Sequence, residues 1–156
     1  GQQVKDHGMQ LCYHNHDFEF VKIGEEYALD VLYKEVSEAL LQPELDTCWI
    51  NVVGEDPADY IHKYAERIEI LHLKDYVGSK TENMYELIGV DEEKKKAESS
   101  NFEFRPVGMG VQNIPAILEA AAQSNTKWLV VEQDKPSLGK SPMECAAASI
   151  TYLHSL

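Results

Sequence analysis

Four stretches of the chain are short, apolar and rich in β-formers, and helical spacing follows each of them. Met9 to His14 reads as the first strand, set off by Gly8, and Phe18 to Ile23 adds alternating or aromatic residues before Gly24. Leu29 to Leu41 then places Leu29, Leu32, Val36, Ala39 and Leu40 on one broad face, the pattern of an amphipathic helix. Pro43 closes that helix, and Glu44 to Ile50 predicts a short second strand. Asp56-Pro57 supplies an N-cap with proline at the first helical position, opening a helix through about Ala65. Ile68 to Leu73 is almost continuously apolar, which suits a buried parallel strand. A polar excursion runs from Val77 to about Asn101, is expected to carry a helical turn or two, and ends at Gly108-Met109-Gly110. Asn113 and Pro115 open a helix to Gln123, Trp128 to Glu132 predicts the fourth strand, and Ser141-Pro142 starts a last helix to about Leu153. With no repeat and no linker, this rhythm predicts one α/β unit over residues 1–156 with a parallel sheet.

Charge narrows the partners. Lys plus Arg total 14 against 27 for Asp plus Glu, a formal net charge of −13. That field repels nucleic-acid phosphates and anionic membrane surfaces, and the one dense basic run, Lys94 to Lys96, follows Glu92 and Glu93. Nucleic acid and membrane are therefore not expected partners. No stretch nears the roughly 20 apolar residues that span a bilayer. Cys12, Cys48 and Cys145 form no Cys-x-x-Cys pair, and this sparse, odd set fits reduced thiols and a cytoplasmic location. The first residue is Gly rather than Met, as expected of an excerpt or a processed chain. At 156 residues the chain is also too short for an eight-stranded α/β barrel of about 250.

The chemistry gathers where the predicted strands end. The first delivers His14-Asn15-His16 and then Glu19, the second Asp46, the third His72 with Lys74 and Asp75, the fourth Glu132 with Asp134. In parallel α/β folds that edge is where active sites form. Three carboxylates and an imidazole suit a divalent ion such as Mn²⁺, Mg²⁺, Co²⁺ or Zn²⁺. Singly, each residue also has an ordinary reading: Asp46 as a loop cap, His72 as a satisfied core histidine, Glu132 as a salt-bridge partner. His14 and His16 share one side of an extended strand, so one can orient the other or bond to backbone. Gly108-Met109-Gly110 reads as a turn rather than a phosphate cradle, because the lysine and hydroxyl of a P-loop are absent.

Five segments in order carry a resemblance: Tyr13 to Phe20, Leu45 to Trp49, Arg67 to Asp75, Pro106 to Gly110, and Val131 to Asp134. Together they resemble the sugar phosphate isomerase/epimerase family. This is the xylose isomerase-like barrel group that also includes inosose dehydratase, tagatose epimerase and endonuclease IV. The resemblance covers essentially the whole chain and implies the C-terminal half, strands five to eight, of a (β/α)8 TIM barrel. It implies a metal held by Glu19, Asp46, His72 and Glu132, with His14 or His16 as alternatives to Glu19. It further implies a sugar or cyclitol substrate and proton transfer next to a carbonyl, with Glu19 and Glu132 exchanging protons and Lys74 binding a substrate oxygen. Within the same family the alternative is an inosose-type dehydratase. Phosphodiester cleavage is disfavoured, because Trp49 stands where the endonucleases have a histidine and Phe104-Arg105-Pro106 replaces their Asp-x-His. A non-catalytic half-barrel that self-associates through its open edges is the third reading.

Overall fold

The computed structural model describes residues 1–79 and 101–156. In chain order the elements are α1 (Gln2–Asp6), β1 (Cys12–His14), a 3₁₀ turn (Phe18–Phe20), β2 (Lys22–Ile23), β3 (Glu26–Tyr27) and α2 (Ala28–Glu35). They continue with β4 (Gln42–Asp46), α3 (Thr47–Val52), α4 (Pro57–Lys63), β5 (Ile70–Leu73), β6 (Asp75–Val77) and β7 (Glu103–Arg105). The chain closes with α5 (Ile114–Ala122), β8 (Trp128–Val131) and α6 (Pro142–Leu153). Strands β1, β4, β5 and β8 form one sheet in that order, and every neighbouring pair is parallel. The predicted α/β alternation with four parallel strands is therefore the architecture.

One face of the sheet packs on the helices. Leu45, Leu71 and Leu73 are fully buried among Leu29, Tyr33, Ile61, Ile114 and Ile117 from α2, α4 and α5. Each such side chain contributes about 1.5–3 kcal/mol by leaving water. Side chains alternate along a strand, so residues two apart share a face. On the opposite face stand His14, Glu44, Asp46, His72 and, past the end of β8, Glu132. That face also carries Trp128 and Val130, which are 67% and 38% exposed.

Three predicted boundaries move, each for a structural reason. The helix expected to reach Leu41 stops at Glu35, where Val36 turns extended. The Arg67 guanidinium crosses over and donates to the carbonyls of Tyr33, Val36 and Leu41, holding the loop that follows. The second strand begins at Gln42, not Glu44, and so contains Pro43. Pairing with β5 starts only at Glu44–Ile70, while Gln42 donates its amide to Leu11 on the β1 side, so the missing Pro43 N–H costs no ladder bond. That strand also ends early, at Asp46, because residues 47–52 wind into α3. The segment Phe18 to Ile23 forms the 3₁₀ turn and one arm of the small β2–β3 hairpin, and joins no parallel strand.

Helix starts fall where the capping residues place them. Asp56 caps α4 with Pro57 behind it, Asn113 caps α5, and Ser141 with Glu144 forms a capping box on α6. The polar excursion is entered and left by β6 and β7, which pair antiparallel. The helical turn expected within it falls on residues 80–100, outside the described residues.

Candidate metal centre and active site

His14, Asp46, His72 and Glu132 each offer one ligand atom, and these four atoms lie within 4.8 Å of one another. Each residue comes from the C-terminal end of a different parallel strand. Register explains the convergence: Asp46 is opposite His72, and His72 opposite Val130, two residues before Glu132.

Asp46 divides its work between its two oxygens. Oδ1 accepts from the amides of Cys48 (2.8 Å) and Trp49 (3.4 Å), capping α3. Oδ2 faces the cluster, 3.2 Å from His14 Nε2 and 3.5 Å from Lys74 Nζ. The ordinary reading of Asp46 as a cap and the functional one are both realised, on different atoms. Its amide is in turn held by the side-chain oxygen of Asn15 at 3.0 Å.

His72 sits between two carboxylates. Nδ1 is 2.6 Å from Glu132 Oε2 and Nε2 is 2.7 Å from Glu44 Oε1. Burial works against its charge, but hydrogen bonds to Glu132 and Glu44 and the charges of Glu132 and Asp46 outweigh it and hold the imidazole above its ordinary value. The reciprocal effect appears on Glu132: its hydrogen bond to His72, helped by Lys74 and opposed by burial, holds the carboxyl well below the usual range. Beneath them lies Lys74, only 1% exposed. Its Nζ is 2.9 Å from Asp134, 3.4 Å from Glu132 and 3.5 Å from Asp46, and it sits over the rings of Trp49 and Phe104. Four carboxylates (Glu44, Asp46, Glu132, Asp134) thus surround one ammonium and two imidazoles.

Two of the expected residues stand apart from the cluster. Glu19 is buried, and its oxygens accept from the Tyr13 hydroxyl (2.7 Å) and the His16 amide (2.9 Å), bracing the loop after β1. The place expected for Glu19 among the four donors is held by His14, the alternative that the sequence left open. The reason is geometric: His14 is the last residue of β1, whereas Glu19 lies in the 3₁₀ turn beyond it. His16 lies at the rim, its ring stacked on Phe18 and His14 and near Trp49. Burial lowers its pKa, with the His14 charge adding to that effect.

Asp75 belongs to the fold rather than the cluster. Its carboxylate accepts the amides of Tyr76, Gly108, Gly110 and Gln112 at 2.9–3.1 Å. The turn around Gly108-Met109-Gly110 therefore does present a nest of N–H groups, but an internal carboxylate fills it. A Cβ at Gly110 would fall inside that carboxylate, and one at Gly108 (φ 88°) inside the Tyr152 ring. Glu44 was the residue that sequence reasoning passed over. The signal was present, since Glu44 and Asp46 are two apart on a strand and so share a face.

The sequence model of the xylose isomerase-like TIM barrel matches residues 1–156. Among its relatives, the inosose dehydratase of Clostridium beijerinckii is 29% identical over 159 residues, covering 98% of this chain and 50% of that protein. The inosose dehydratase of Clostridium botulinum is 30% identical with the same coverage. Of solved structures, a sugar phosphate isomerase/epimerase from Parabacteroides distasonis superposes with a TM-score of 0.75 at 22% identity, covering 99% of this chain and 48% of that one. A xylose isomerase domain protein from Planctomyces limnophilus gives 0.65 at 15% identity, with coverage of 99% and 47%. The chain spans about half the length of these relatives. The four parallel strands and the family match over residues 1–156 together establish that this chain belongs to the xylose isomerase-like TIM barrel family.

Proposed function

We propose that His14, Asp46, His72 and Glu132 hold a divalent cation (Mn²⁺, Mg²⁺, Co²⁺ or Zn²⁺) and that the protein moves a proton at a carbon beside a carbonyl, as a sugar isomerase or epimerase. The observation that carries this reading is the approach of four donors, two imidazole and two carboxylate, from four strand ends to within 4.8 Å. Two nitrogens and two oxygens suit a borderline divalent ion, and the surrounding carboxylates leave an excess of negative charge for it to balance. A cation bound there supplies Lewis-acid stabilisation to charge developing on a substrate oxygen.

The chain's own groups account for the rest. Glu132 is ionised at neutral pH, the form that accepts a proton. Lys74 presents a fixed ammonium that can donate to a substrate carbonyl or hydroxyl oxygen. The rings of His16 and Phe18 lie beside the cluster, where apolar faces suit the C–H side of a sugar or cyclitol. Water elimination from a cyclitol begins with the same proton removal. The similarity to two inosose dehydratases makes dehydration the second reading.

The test follows the proton. Incubation with Mn²⁺ and a panel of ketoses and inososes in D₂O should place deuterium beside the carbonyl, read by NMR. Epimerised product supports the first reading and a dehydrated product the second. No exchange with any substrate, despite tight metal binding, would refute the proposed chemistry. Calorimetric titration of Mn²⁺ into wild type and His72→Ala tests the ligands separately, and equal affinity would remove His72 from the set.

Among the described residues the four-stranded sheet leaves two parallel edges unpaired, β1 and β8. With Trp128, Leu129 and Val130 exposed at the β8 edge, we infer that the chain associates with a second copy to complete the barrel wall, in the manner of a homo-oligomer. A monodisperse monomer in sedimentation would refute this. The three free thiols accord with a reducing, cytoplasmic setting.

A further inference from the structure

Glu44 stands one layer below the four donors, on the same face of β4 as Asp46, and meets His72 on the side away from the cluster. Its Oε1 lies 2.7 Å from His72 Nε2, while Nδ1 of the same ring points at Glu132, which is itself one of the four. A carboxylate that offers only acceptors at Nε2 requires a proton on that nitrogen. Glu132 makes the same demand at Nδ1, so a cation that takes the place of the proton between Nδ1 and Glu132 finds its lone pair there, while Glu44 keeps the Nε2–H. Asp46 opposite His72 and Glu44 opposite His14 in the parallel ladder set this arrangement by register, with no flexible loop involved.

We propose that Glu44 is a positioning residue for metal uptake: it selects the Nε2–H tautomer of His72 and holds the ring with Nδ1 turned to the ion. This rests on the metal reading above and adds a residue to it that touches neither substrate nor ion. An ordinary salt bridge would depend on the Glu44 charge alone. A tautomer selector depends on an acceptor at Nε2, which glutamine retains through its amide oxygen. The two roles therefore separate in the conservative variant.

The experiment titrates Zn²⁺, chosen because it is diamagnetic, into the full chain as wild type, Glu44→Gln and Glu44→Ala. Affinity is read by calorimetry, the liganding His72 nitrogen by long-range ¹H–¹⁵N NMR, and folding by circular dichroism. Losing an outer carboxylate from a ligating histidine weakens metal binding about 10- to 100-fold. Glu44→Ala is expected to fall in that range and to lose the single Nδ1-bound, Nε2–H state. Glu44→Gln should recover most of the affinity and keep the tautomer. Equal affinity and the same liganding nitrogen in all three proteins would overturn the role of Glu44 while leaving the metal site standing. Absence of Zn²⁺ uptake by wild type would overturn the metal site and this role with it. Should Glu44→Ala not fold, the Glu44→Gln spectrum decides alone: Zn²⁺ moving to Nε2 would refute the proposal.

Discussion

Replacing Asp75 with alanine should cost this protein more stability than replacing any catalytic candidate. Asp75 is fully buried, and its two oxygens gather four backbone amides. Two of these, from Tyr76 and Gln112, lie in buried surroundings, and each orphaned donor there costs about 1–3 kcal/mol. The other two, from Gly108 and Gly110, are partly buried, so water can replace the carboxylate and the loss falls to roughly 0.5–1 kcal/mol each. The sum centres on about 5 kcal/mol, a large share of the 5–15 kcal/mol that typically holds a domain together. Urea unfolding followed by circular dichroism measures it directly, with Asp75→Asn as a milder partner that keeps an acceptor oxygen. A loss below about 1 kcal/mol for Asp75→Ala would refute the claim that this carboxylate organises the turn.

Other consequences are equally direct. Gly110→Ala should destabilise by a similar amount, because its Cβ would displace the Asp75 carboxylate; an unchanged urea midpoint would contradict the close approach. Lys74→Met should raise divalent-metal affinity by about tenfold or more and abolish deuterium exchange. The ammonium lies 3.4 Å from Glu132 and 3.5 Å from Asp46, so its charge competes with a cation for the same two carboxylates. Weaker metal binding in that variant, measured by calorimetry, would contradict the sign. Burial pushes the Tyr33 and Tyr64 hydroxyls far above their ordinary value, and burial with the Glu19 hydrogen bond pushes Tyr13 up to about 12. The unfolded chain releases these protons near pH 10 while the folded one keeps them, so stability is full below pH 10 and falls as pH rises above it. Absorbance at 295 nm should show these phenolates forming only as the fold opens, and their reversible ionisation near pH 10 with intact dichroism would rule the burial out.

Much of this molecule could be read from residue order, because the determinants are local. Apolar runs such as Ile68 to Leu73 mark strands wherever they sit, and Asp56-Pro57, Asn113 and Ser141 start helices through bonds to amides two or three residues away. The strand-end positions of His14, Asp46, His72 and Glu132 were legible for the same reason. Boundaries set by distant groups were not. Helix α2 ends where Arg67, some thirty residues on, donates to the carbonyls of Tyr33 and Val36. Which residue at the end of β1 or just after it joins the cluster is likewise beyond local pattern. Glu19 is tied to Tyr13 and the His16 amide, leaving His14 to face Asp46 and Glu132. Spacing along the chain assigns a side chain to one face of a strand, but only parallel register and packing decide which atoms meet across strands. For that reason the chemistry of this site was visible in its residues, while its membership and the pairing of His72 with Glu44 depended on the folded sheet.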